Sequence, residues 1–167
     1  EIGFDNINMD IIAGLPGESP QMFNKSLERI LELSPDSLTV HTLSIKRGSK
    51  LIYDKTSRTD IHSEKIEEMV GTAAEYAYKM GMKPYYLYRQ KNILGNLENI
   101  GYSTEGHESI YNIQIMEEKQ SIIAMGAGAV TKMVYPEENR IERVFNVKSV
   151  SDYILRIDEM IARKEAI

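Results

Sequence analysis

The chain is predicted to be an α/β fold that passes into a small antiparallel α+β domain. Three features of the 167-residue sequence point there. An apolar strand, a helix and a second apolar strand follow one another within residues 7–45, the spacing of a right-handed parallel crossover. A second long helix and a tyrosine-rich strand repeat that alternation up to residue 89. After residue 107 the pattern changes to short strand-like runs separated by polar turns, which suits antiparallel pairing.

In residues 7–13, Ile7, Met9 and Ile11 alternate with Asn8, Asp10 and Ile12, so two strand faces can be assigned. The strand breaks at Gly14-Leu15-Pro16-Gly17. Ser19 is suited to cap a helix and Pro20 to occupy its first position. That helix, over about 20–33, carries Phe23, Leu27, Ile30 and Leu31 as one buried stripe, and Ser34-Pro35 stops it. Ser37–Ile45 is the second strand, and Arg47–Asp60 is polar and loop-like. A helix from about Ser63 to Met80 puts Ile66, Met69, Val70, Ala73, Ala77 and Met80 on one face, and Gly81 closes it. KPYYLYR, residues 83–89, is the next strand. Residues 90–107 are rich in Asn and Gly and read as a long functional loop. IYNIQIME (110–117), SIIAMGAGAVTKMVY (121–135) and IERVFNV (141–147) read as strands. Ser149 or Ser151 caps a last helix with Val150, Tyr153, Ile154, Ile157, Met160 and Ile161 inward. Two domains follow, 1–90 and 91–167.

Composition bounds the function. Hydrophobic residues at 42 % and charged residues at 27 % suit a soluble globular protein and exclude a disordered one. The apolar runs are too short to span a bilayer, and EIGFDNINMD lacks the regions of a signal peptide. EIGFD reads instead as the end of a helix running into a strand, so the chain is expected to be an excised fragment. A net charge of −5 and an isoelectric point of about 5.3 argue against a nucleic-acid surface. Without cysteine there are no disulfides, thiol nucleophiles or thiolate metal ligands, and His41, His62 and His107 are too scattered to form a metal motif. The cytoplasm is the default compartment.

Asp10 stands at the end of a parallel strand, where a carboxylate can accept both hydroxyls of a ribose; it can equally cap a turn or pair with a buried lysine. Gly14 and Gly17 would keep the backbone bare beside it. Tyr85, Tyr86 and Tyr88, interleaved with Arg89 and Lys91, can hold an anionic aromatic ligand or form a half-buried strand. The small residues of MGAGAV, 125–130, admit a flat ligand or mark a bulge or packing corner; their spacing is not a dinucleotide fingerprint. His41, with Thr39 and Leu43 on its face, reads as a hydrogen-bonded core residue rather than a catalyst. Glu64, Glu67 and Glu68 read as a solvated helix face.

NMDIIAGLPGES, SLTVHTLSIKRGS, PYYLYR, YNIQIMEEKQSIIAMGAGAVTK and RVFNVKSVSDYI together resemble the later part of the oxygen-independent coproporphyrinogen III oxidases, also called coproporphyrinogen dehydrogenases. The resemblance runs in order along nearly the whole chain and is narrowest to the Bacillus/Clostridium-type branch of this radical S-adenosylmethionine (SAM) group. It implies the C-terminal part of an incomplete, TIM-like radical SAM barrel, followed by the α+β domain on the substrate side. It further implies a parent enzyme of haem biosynthesis in which a 4Fe–4S cluster, held by an upstream Cys-x3-Cys-x2-Cys motif, cleaves SAM to a radical. That radical abstracts a propionate hydrogen, and decarboxylation leaves a vinyl group on the way to protoporphyrinogen IX.

By the same resemblance Asp10 holds the SAM ribose, Ile12 packs beside it and Leu43 adds a contact from the next strand. Gln114 and Val130 fall at positions of a second SAM or substrate-side site. Tyr88, Arg89, Gly126 and Gly128 are the candidate contacts to a tetrapyrrole substrate. No catalytic residue and no metal ligand is assigned to this chain, which departs from the family in having no cluster cysteines. Alone it is expected to hold neither cluster nor SAM, to be inactive, and to dimerise through exposed barrel edges. The sequence around His41-Thr42 also departs from the family's usual aromatic or Asn-Tyr-Ala pattern. A related group of haem chaperones gives the alternative reading, a haem-binding protein without oxidase activity. Its members typically have His-Asn where this chain has Tyr111-Asn112.

Overall fold

The structure, a computed structural model, describes residues 3–44, 63–89 and 97–166. The loop expected over Arg47–Asp60, and the start of the one expected over 90–107, lie outside the described residues. Contacts divide the chain into two compact units, Glu1–Ile110 and Tyr111–Ile167.

The first unit is built on β1 (Asn8–Ala13), α1 (Pro20–Leu33) and β2 (Ser37–Thr42), the expected crossover. β1 and β2 pair in parallel, with Asp10 opposite Thr39 and Ile12 opposite His41. Ser19 caps α1 by accepting a bond from the Met22 amide at 3.2 Å, and Ser34 ends it in the left-handed region at φ 50°. α2 (Ser63–Lys79) is closed by Gly81 at φ 75°, as its position after the apolar stripe predicts.

One face of the sheet buries Ile11, Ala13, Leu38 and Val40 in a cluster that also holds Phe23, Leu27, Ile30, Ile66, Met69, Ala73 and Ala77. Each large side chain removed from water there contributes about 1.5–3 kcal/mol. Leu31, expected in the same stripe, is 37 % exposed. Gly14 turns the chain at φ 88°, and a Cβ on it would lie 3.1 Å from the Ile66 side chain, so the turn sits directly on α2.

β3 (Lys83–Tyr88) does not join β2 directly. Between them runs β4 (Asn99–Ser103), antiparallel to both, in the order β1-β2-β4-β3. The latter half of the expected loop is therefore an inner strand. Its Asn, Gly and Ser have poor strand propensity, but Tyr102 is buried in the core and Gly101 stands opposite both Thr39 and Tyr86. This pairing lies within the first unit, which runs to Ile110; the division drawn from sequence at 90/91 lies outside the described residues.

In the second unit, IYNIQIM forms a helix, α3 (Ile110–Met116), not a strand. Ile110 and Ile113 keep helical spacing while Ile113 and Ile115 keep alternating spacing, and the Glu117 amide closes the turn onto the Ile113 carbonyl at 3.0 Å. Within the long apolar run only β5 (Val130–Tyr135) is a full strand. It pairs antiparallel with β6 (Arg140–Phe145) across a 3-10 turn at Pro136–Glu138, while Ile122 makes a single bridge to Lys132. The last helix is two, α4 (Val150–Leu155), capped by Ser149, and α5 (Ile157–Glu165). Of the side chains expected inward, Met160 is fully buried, whereas Val150, Ile154, Ile157 and Ile161 are exposed. Among the described residues no helix is long and apolar enough to cross a membrane.

Candidate functional site

The face of the first sheet turned away from the helices is polar. Its residues come from the alternate register of every strand: Asn8, Asp10 and Ile12; Thr39 and His41; Gly101; Tyr86 and Tyr88. Where the parallel strands end, Asp10, Ile12, His41, Thr42, Leu43, Ser44 and Tyr88 line an open cleft of about 410 Å³. The Leu43 amide donates to the Ala13 carbonyl at 3.0 Å, so the β1–β2 ladder continues to the cleft. Crevices at the carboxyl ends of parallel strands are where α/β sheets bind ligands.

Asp10 is the charged group of this cleft, with 59 % of its side chain exposed. Asn8 donates from Nδ2 to Asp10 Oδ1 at 2.7 Å. His41 Nε2 lies 3.5 Å from Asp10 Oδ2, and the Tyr88 hydroxyl lies 3.5 Å from His41 Nδ1. Behind Asn8, Thr39 donates to its Oδ1 at 3.2 Å and stands 3.4 Å from the Tyr86 hydroxyl. The polar groups thus run as one chain across the sheet, Tyr86–Thr39–Asn8–Asp10–His41–Tyr88. Burial is the main cause that pushes the Tyr86 phenol above its ordinary value, so at neutral pH it stays a neutral hydrogen-bonding group.

Two further residues shape this face. Gly101 lies under Tyr86: a Cβ there would come 1.9 Å from Cε1 of the ring. The absent side chain lets the tyrosine lie across the sheet, where it stacks on Tyr88 at 6.3 Å and 11° and meets Tyr85 edge-on. Asn99, fully buried, accepts the Thr42 amide on Oδ1 at 2.7 Å. Asn99 Nδ2 and Thr42 Oγ1 are both shielded and have no partner among the described residues.

Of the residues named from sequence, Asp10, Ile12, Leu43 and Tyr88 meet in this cleft. Arg89 is exposed beyond it and bonds Glu98 Oε1 at 3.1 Å. Gln114, Val130, Gly126 and Gly128 belong to the second unit. Gln114 is half-buried on α3, and Val130 opens β5 with 37 % exposure. Gly126 and Gly128 adopt φ of 102° and 73° in a turn whose backbone is engaged on several sides. The Gly126 amide donates to the Tyr153 hydroxyl at 3.1 Å, its carbonyl accepts from Asn146 Nδ2 at 2.8 Å, and the Gly128 amide donates to the Val147 carbonyl at 2.7 Å. These are contacts that a packing corner makes.

Sequence reasoning missed His41, Ser44 and Gly101. Neither strand alone marks His41 as a site residue; the parallel register of the two strand ends sets it beside Asp10. Among the described residues no three His, Asp or Glu side chains come together as a metal site.

No protein-family model matches the chain. It is 48 % identical over 156 residues, 93 % of its length, to the oxygen-independent coproporphyrinogen-III oxidase-like protein HemZ of Bacillus subtilis. It is 25 % identical over 176 residues to the oxygen-independent coproporphyrinogen III oxidase of Escherichia coli, and 25 % over 129 residues to the heme chaperone HemW of Bacillus subtilis. These matches take in 95 % and 77 % of the chain. The chain spans about a third of these relatives, at 31 %, 34 % and 31 % of their lengths. Its structure matches that of coproporphyrinogen III oxidase (HemN) from Escherichia coli, a radical SAM enzyme, with a TM-score of 0.62 and 17 % identity, over 95 % of this chain and 35 % of the other. The fold is therefore that of part of a radical SAM structure.

Proposed function

The chain is homologous to the oxygen-independent coproporphyrinogen III oxidases and their HemZ-like relatives, and we propose that it supplies the SAM-facing strand ends and a substrate-side domain of such an enzyme. The parent would decarboxylate the propionates of coproporphyrinogen III to vinyl groups without oxygen. The observation that carries this reading is the carboxylate of Asp10, exposed at the end of a parallel strand in a cleft of about 410 Å³.

The residues fit a nucleoside. Asp10 offers acceptor oxygens to a ribose diol, while Ile12 and Leu43 provide apolar surface for a base. Gly14 turns the chain at the strand end, and none of residues 14–17 lines the cleft. When bound to its cluster, SAM supplies the radical that abstracts hydrogen; the cluster's thiolates would come from elsewhere in the parent, since this chain has no cysteine. Its own residues bind and orient. Gln114 and Val130 are assigned to a second SAM or substrate-side site. Tyr88, Arg89, Gly126 and Gly128 are assigned to the tetrapyrrole, with Arg89 available to a propionate once it leaves Glu98. The chain by itself would hold no cluster and show no activity.

The reading is tested on the full-length protein reconstituted anaerobically with iron and sulfide. With SAM it should convert coproporphyrinogen III to vinyl-bearing product. Cleavage of SAM without decarboxylation counts against the oxidase reading, and stoichiometric haem binding without turnover supports the chaperone alternative. The match to the Escherichia coli oxidase takes in 95 % of the chain and that to HemW 77 %, which supports the first.

A further inference from the structure

Asp10 lies on an exposed strand end, where a carboxylate has rotamer freedom to lose before it can grip two hydroxyls. Each of its two oxygens nevertheless faces a side-chain neighbour. Oδ1 takes the Asn8 amide at 2.7 Å, and Oδ2 faces His41 Nε2 at 3.5 Å. We infer that His41 is a positioning residue for Asp10: it fixes the carboxylate so that its outward lone pairs meet the ligand. This inference rests on the assignment of Asp10 to a ribose.

The tautomer follows from the neighbours. An unprotonated Nε2 would set its lone pair against the Asp10 carboxylate, which is repulsive, so Nε2 carries hydrogen. Neutral imidazole then leaves Nδ1 as an acceptor, and the Tyr88 hydroxyl at 3.5 Å is the group placed to donate to it. Tyr88 is in turn stacked on Tyr86, whose ring rests over Gly101. The imidazole is thus held from the β3 side while 26 % of its side chain remains exposed to the cleft. Only the register Ile12↔His41 makes this possible, because it places His41 one step beyond Asp10 on the same sheet face.

The test is a double-mutant cycle on SAM affinity, measured by equilibrium dialysis with the reconstituted full-length protein, with thermal unfolding recorded for each variant. His41→Leu should weaken SAM binding about tenfold, the scale of a lost charge-assisted hydrogen bond. His41→Gln, which keeps a donor near the Nε2 position, should recover most of that loss. The double variant Asp10→Asn/His41→Leu should bind no more weakly than Asp10→Asn, because His41 acts through the carboxylate. Tyr88→Phe keeps the ring and should give a smaller loss in the same direction, which preserves the test if His41→Leu folds poorly. Wild-type affinity in His41→Leu, or a loss that adds in full to that of Asp10→Asn, overturns the positioning role. Wild-type affinity in Asp10→Asn overturns the ribose assignment beneath it, a different failure read from a different variant.

Discussion

At the residue scale, Gly101 and Tyr86 depend on each other. Any side chain at 101 must displace the ring, whose Cε1 and Cδ1 would be 1.9 and 2.4 Å from the new Cβ. Gly101→Ala is expected to destabilise the protein by about 1–3 kcal/mol, the range for overpacking a well-filled site, read as a lower urea midpoint. Adding Tyr86→Ala should recover part of the loss; an additive further loss would show that the ring is not what the methyl meets. Glu18 gives a pH-dependent case. One of its carboxylate oxygens is shielded without a partner among the described residues, and desolvation raises its carboxyl above 4.5. The folded state therefore holds the proton more tightly than the unfolded one, so stability falls as pH rises from about 4.5 through the folded value. Glu18→Gln should raise the melting temperature at pH 7 and have less effect at pH 4; equal effects at both would contradict the cause given.

At the element scale, α1 and α5 are held by identifiable terminal contacts. Ser19→Ala removes the acceptor for the Met22 amide and should cost about 1 kcal/mol of stability by chemical denaturation. On α5, Glu159 accepts from Arg156 Nε at 2.7 Å and from Arg163 at 2.6 Å, and these bonds hold its carboxyl at about 2. A carboxyl lowered on folding adds stability above its unfolded value of 4.5, and loses that contribution as pH falls toward about 2. A carbon-detected NMR titration should place the Glu159 midpoint near 2, and Arg156→Ala/Arg163→Ala should return it toward 4.5. A midpoint unmoved by the double substitution would refute that account. Element type was legible where one period dominated: Ser19-Pro20, the stripe of Phe23, Leu27 and Ile30, and Gly81 all marked their ends. It was not legible at Ile110–Met116, where the isoleucines fit both periods, nor at Asn99–Ser103, where tertiary pairing overrides weak propensity.

At the scale of the whole molecule, the parallel β1–β2 pair forms the site and the antiparallel β4 limits what a sequence can reveal about it. Asp10 could be selected from sequence because strand alternation and the glycine turn after residue 13 set a carboxylate at a strand end; Ile12 and Leu43 came from the family resemblance and Tyr88 from its tyrosine-rich strand. His41 could not, since its role depends on a register across two strands. Nor could Gly101, which requires β4 to be an inner strand. Gly126 and Gly128, chosen for their smallness, lie in a turn that Tyr153, Asn146 and Val147 hold. The central claim is that the cleft at Asp10 binds the ribose of SAM. It is tested most directly by the dissociation constant of SAM for reconstituted full-length protein, wild type against Asp10→Asn. Loss of a charge-assisted hydrogen bond predicts binding weakened by about 1–3 kcal/mol, with unfolding temperature unchanged. An Asp10→Asn protein that binds SAM as tightly as wild type would contradict it.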